Sequence, residues 1–113
     1  MDHHYLLQGI QFQWDMHKAT INRQKHHVTF EKACEVFFDP FLYPTTGEIV
    51  DEELREGVIG MTHDWQLFYV AYTLRDDVIR LISARRTTTI QKQHYENQWF
   101  EATSGQKSAD GHD

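Results

Sequence analysis

A single cysteine, Cys34, and two prolines, Pro40 and Pro44, serve 113 residues. One thiol builds neither a disulfide framework nor a cysteine-based zinc site. The six glycines form no phosphate-cradling loop, and Gly57 and Gly60 fall inside a strand pattern where a bulge or close packing suits them. No apolar run approaches the ~20 residues that a membrane-spanning helix needs. The opening residues lack a basic segment followed by an apolar stretch, which points away from a signal peptide. Ser83 has no Gly-x-Ser-x-Gly setting, so serine hydrolase chemistry has no support. These absences suit one small domain in the cytoplasm, and the 40% apolar content suffices for one modest core.

Histidine is abundant, with eight copies, but the spacing argues against a metal site. There is no His-Glu-x-x-His, and His26 and His27 are adjacent, so they diverge at a helix end. No cofactor is expected. The net charge of −6 first argues against a nucleic-acid partner. Its distribution changes that: residues 31–56 hold eight acids against Lys32 and Arg55, so the remaining chain is neutral overall. Within that remainder, 16–30 carries Lys18, Arg23 and Lys25 with no acid, and 78–92 carries Arg80, Arg85, Arg86 and Lys92 with none. Two basic segments sharing a face, with an acidic lobe elsewhere, is one reading; ordinary solvated surface is the other.

Ile10, Phe12 and Trp14 alternate with glutamines, a strand buried on one face. Asp15 is placed to cap a helix running to about Lys25, whose thin apolar stripe leaves Lys18, Asn22, Lys25 and His26 on a polar side. Thr29 caps a second helix with Phe30, Ala33, Cys34 and Phe37 on one face, ended by Asp39-Pro40. Phe41–Asp51 reads as a loop. Strands follow at roughly 54–62, 66–74 and 78–84, separated by short polar turns that suit antiparallel hairpins. A last helix starts at Thr87 or Thr88 and includes Ile90, His94, Tyr95 and Trp99. Residues 1–8 look like a flexible lead, 9–101 the folded domain, and 102–113 a disordered tail. The order β-α-α-β-β-β-α predicts an α+β domain with helices on one face of a small antiparallel sheet.

Ile79–Arg86 carries the most chemistry. An arginine between apolar strand residues needs a carboxylate or a ligand. Arg85 and Arg86 stand at the strand end before a helix N-terminus, a setting that suits phosphate. The structural alternative pairs Arg80 with Glu56 or Asp77.

The ordered set Phe12-x-Trp14-Asp15-x-x-Lys18-Ala19-x-x-Asn22-x-x-Lys25-His26-x-Val28-x-Phe30-Glu31-x-Ala33, Phe37-x-Asp39-Pro40, Tyr72-Thr73 and Arg80-x-Ile82-Ser83-Ala84-Arg85-Arg86-Thr87 resembles the BrnT toxin family over about residues 10–96. The resemblance implies a RelE-like fold and an endoribonuclease toxin of a bacterial type II toxin–antitoxin system, arresting translation. It further implies neutralisation by a BrnA-like antitoxin with a ribbon-helix-helix region, and contact with DNA only through that complex. Carried over residue by residue, Arg85, Arg86 and His26 take catalytic roles, and Lys18, Lys25 and Arg80 hold RNA. Three positions depart from the family pattern: His27 stands where a glycine is usual, and Gln91-Lys92 where Glu-Arg is usual. A competing expectation is therefore a weak or inactive toxin that only seats its antitoxin in a repressor complex.

Overall fold

The computed structural model describes residues 1–111, with side chains through 103. Six strands form one sheet: β1 (Asp2–Leu7), β2 (Ile10–Asp15), β3 (Tyr43–Val50), β4 (Glu53–Met61), β5 (Leu67–Arg75) and β6 (Val78–Arg86), in spatial order β1-β2-β6-β5-β4-β3. The helices are α1 (Met16–His26), α2 (Phe30–Ala33) with a 3₁₀ extension at Cys34–Phe38, and α3 (Thr89–Gly111). The α+β class therefore holds, but the sheet is mixed, because β2 runs parallel to β6.

Two strands go beyond the sequence reading. β1 pairs with β2 along its whole length, where the sequence suggested a flexible lead. β3 occupies most of the expected loop and pairs with β4. Two-residue turns close three of the four hairpins, with both residues at positive φ: Gln8-Gly9 (49° and 84°), Asp51-Glu52 (51° and 65°) and Asp76-Asp77 (52° and 66°). That geometry matches the twist of the flanking strands. In two of the three turns it is built without glycine.

One sheet face carries the core. Phe12 and Trp14 of β2, Val58 of β4, Phe68 and Val70 of β5, and Leu81 and Ala84 of β6 pack against Val28, Phe30, Ala33, Cys34 and Val36. Val36 takes the place expected of Phe37 because the chain tightens to a three-residue period after Ala33. Phe37 instead bridges Phe12 and Tyr72, with ring centres 5.6 and 5.1 Å away. Burial also pushes the Cys34 thiol well above its ordinary range.

α3 contacts β4 on the other face, where His94 stacks on Tyr43 and Ile59 is buried. Helices thus flank both sides of the sheet. The Asp39 carboxylate pins this arrangement by accepting the backbone N–H groups of Phe41 and Met61 and the Tyr95 hydroxyl. Ile90 of this helix is exposed, whereas Tyr95 is buried. The backbone of α3 stays helical to Gly111, through most of the segment expected to be a tail; residues 112 and 113 lie outside the described residues. Ala102 favours helix, and the Thr103 hydroxyl bonds back to the Trp99 carbonyl.

Candidate functional site

β2 meets β6 only at Phe12–Ile79 and Gln13–Arg80, so the second half of β6 has no strand on that side. α1 takes its place. The buried Asn22 side chain acts as a substitute strand: its amide N–H donates to the carbonyls of Ala84 (2.9 Å) and Val28 (3.0 Å), and its oxygen accepts from the Ala84 N–H (3.0 Å). Asn22 was expected on the free polar side of the helix, and its role is structural instead.

Docked in this way, α1 forms a cleft of about 180 Å³ with β6, lined by Lys18, Ile21, Asn22, Lys25, His26, Ile82 and Ser83. Asp15 starts α1 by accepting from the Lys18 N–H (3.0 Å), which fixes the first turn and the phase of the basic residues. At the other end His27 adopts the left-handed conformation (φ 58°, ψ 31°) and donates its backbone N–H to Arg23. A glycine would hold this turn without strain. On the β6 side the pairing slips between Leu81 and Ser83, leaving Ile82 as a bulge that opens the cleft wall.

Arg85 follows on β6, two residues beyond the cleft-lining Ser83. Its guanidinium carbon lies 4.7 Å from the centre of the Tyr69 ring, and Nη1 donates to the Arg86 carbonyl and to Gln91 Oε1, both at 3.1 Å. Gln91 also forms a reciprocal cap with Thr88 at the start of α3: the Thr88 N–H donates to Oε1, and the Gln91 N–H to the Thr88 hydroxyl. Gln91 therefore anchors both a helix and the arginine. Among the described residues no carboxylate is within ion-pair distance of Arg85. Its charge is felt by His26, whose pKa lies below the ordinary histidine value; burial is the main cause, followed by Lys25, Arg85 and His27.

Two expected residues stand elsewhere. Arg86 projects from the opposite side of the strand, 5.9 Å from the Phe68 ring centre, because consecutive strand residues face opposite ways. Arg80 shares the Arg85 side but lies on the order of 15 Å along β6. It bonds Gln13 (2.9 Å) and Asp2 (3.0 Å), neither of which is the carboxylate expected. The bonds from Arg80 hold Asp2 below the usual carboxylate range. Lys18, Lys25 and His26 line the cleft, and Arg85 is near enough for its charge to act on His26; Arg80 and Arg86 stand apart from them. Tyr69 and Gln91, which orient Arg85, carried no signal as site residues. Among the described residues no three His, Cys, Asp or Glu side chains are grouped to hold a metal ion, and no helix is long and apolar enough to cross a membrane.

The fold is thus an α+β domain with a cleft at the unpaired edge of its sheet, and Lys18, Lys25 and His26 line it. Residues 14–90 match the family described as "Ribonuclease toxin, BrnT, of type II toxin-antitoxin system", and the chain belongs to this family. No curated protein matches the chain. Among solved structures, the ribonuclease toxin BrnT of Brucella abortus is similar with a TM-score of 0.46 and 18% identity, over 67% of this chain and 94% of that one. Membership implies RNA as the target and an antitoxin as the partner.

Proposed function

We propose that the protein is an endoribonuclease toxin of the cytoplasm that cuts RNA without a metal ion and arrests translation. A BrnA-like ribbon-helix-helix antitoxin neutralises it and brings the pair to DNA. The observation that carries the reading is the cleft that gathers Lys18, Lys25 and His26, with Arg85 two residues beyond Ser83 on the strand that forms its wall. In the reaction, the 2′-oxygen of one nucleotide attacks the adjacent phosphorus and the 5′-oxygen of the next nucleotide leaves. His26, kept uncharged near neutral pH by its surroundings, takes the 2′-hydroxyl proton, and water supplies a proton to the leaving oxygen. Arg85, aimed by Tyr69 and Gln91, stabilises the extra negative charge on the phosphate. Lys18 and Lys25 hold the flanking backbone. Arg86 is left to steer RNA from the far side of the strand, and Arg80 to tie β1 and β2 to β6.

The end groups of the products test this chemistry. Purified protein with EDTA and a labelled RNA should leave a 2′,3′-cyclic phosphate and a 5′-hydroxyl. A single 2′-deoxy substitution at the cut nucleotide should block cleavage there. A 3′-hydroxyl product, or cutting through the deoxy position, would contradict it.

A further inference from the structure

Four arginines, Arg55, Arg75, Arg80 and Arg85, project from the same side of β4, β5 and β6. Two are occupied. Arg75 grips the Glu53 carboxylate at 3.0 and 3.3 Å, and Arg80 holds Asp2 and Gln13. Among the described residues neither Arg55 nor Arg85 has a carboxylate within ion-pair distance. Glu48, opposite Arg55 in the register, is exposed and makes no ion pair with it. Glu53 feels the Arg55 charge, but its oxygens are taken by Arg75.

Arg55 Nε is enclosed and has no hydrogen-bond partner, and neither does the hydroxyl of Thr45. Such enclosed groups cost free energy until a partner arrives. Thr45 lies opposite Gly57, and a methyl group at Gly57 would collide with both the Thr45 and Tyr69 hydroxyls. Tyr69 thus lies across Gly57 with its hydroxyl beside Thr45, while Arg85 covers its ring. The glycine is what lets the phenol pass. A polar track results, running Arg85, Tyr69, Thr45, Arg55 across the sheet. Its two free arginines are two strands and four residues apart in register, about 16 Å between backbones.

We infer that Arg55, with the hydroxyls of Thr45 and Tyr69, forms a second phosphate subsite for RNA, a few nucleotides from the phosphate held at Arg85. This rests on the ribonuclease reading above. The site supplies what a phosphodiester oxygen requires: a planar cation without an ion pair and, around Gly57 two residues along the same strand, two hydroxyl groups. It would lengthen the RNA grip without taking part in the chemistry.

The test uses 2′-O-methyl oligonucleotides, which offer no attacking hydroxyl, and fluorescence anisotropy on the full chain. Arg55→Gln should weaken binding of a ten-nucleotide strand roughly five- to tenfold and reduce the salt slope by about 0.7, as expected for one lost phosphate contact on a single strand. A trinucleotide, too short to reach beyond the cleft, should bind Arg55→Gln and wild type alike. Arg55→Lys should recover part of the loss, and the near-isosteric Thr45→Val should weaken the long strand about threefold. Wild-type affinity for the long strand in both Arg55→Gln and Thr45→Val would overturn the subsite and leave these groups to a carboxylate of a protein partner. A wild type that neither binds the long strand nor cuts unmodified RNA would remove the ribonuclease reading as well.

Discussion

Replacing Asn22 by alanine removes three hydrogen bonds from a dry position and leaves the Ala84 N–H, the Ala84 carbonyl and the Val28 carbonyl without partners. Asn22 itself is 5% exposed, so water does not readily substitute. At about 1 kcal/mol net per bond, with a further penalty for stranded groups, the loss is about 3–5 kcal/mol. That is a large share of the ~5–15 kcal/mol that holds a small domain together. In urea the midpoint should fall with little change in slope, and thermal unfolding should begin at least 12 °C lower, at about 4–8 °C per kcal/mol. Asn22→Asp is a second probe. The carboxylate still accepts the Ala84 N–H but faces two carbonyls as an anion, so this variant should regain stability as pH falls and the acid protonates. An Asn22→Ala loss below about 1 kcal/mol would refute the view that this side chain replaces a strand.

His27 holds a left-handed φ at a cost of about 1–2 kcal/mol for an L-residue. After the chain entropy of glycine is deducted, His27→Gly should gain about 0.5–1 kcal/mol, seen as a higher melting temperature; an unchanged or lower one would contradict the strain. Because the His26 pKa is lowered in the folded protein, the folded state binds fewer protons than the unfolded one. The stability this group contributes is complete above the ordinary histidine value and declines as pH falls through it toward the lowered value. An NMR titration of the His26 ring should give a midpoint below that of a model histidine, and Arg85→Ala should raise it; a midpoint at or above the model value would contradict the setting described here.

The parts of the fold that were legible in the sequence have strong local signals. α1 follows from Asp15 and the end of the Ile10–Trp14 alternation, and β4, β5 and β6 follow from apolar runs between polar turns. β1 and β3 escaped because they bury little: half-buried residues alternate along β1, and β3 is mostly exposed. Their turns also take positive φ at Gln8, Asp51 and Glu52, where sequence preference is weak. The parallel pairing of β2 with β6 joins residues more than 60 positions apart, which no local pattern encodes.

In the candidate site, helical spacing groups Lys18, Lys25 and His26, and all three line the cleft. The same spacing misassigned Asn22, since a polar residue on a helix looks exposed until the strand edge it completes is known. The alternation of a strand already implied that Arg85 and Arg86 diverge. The neighbourhood of Arg55, Thr45 and Tyr69 exists only once β3, β4 and β5 are paired.

The most direct test is the single-turnover rate of RNA cleavage by wild type, Arg85→Ala and Arg86→Ala, with EDTA present and folding checked by circular dichroism. Charge stabilisation of the kind assigned to Arg85 contributes about 10²–10³ in rate. The account predicts a loss of that size for Arg85→Ala and a loss of less than about tenfold for Arg86→Ala. A folded Arg85→Ala variant that cuts at the wild-type rate, or a reversal of the two effects, would contradict the account.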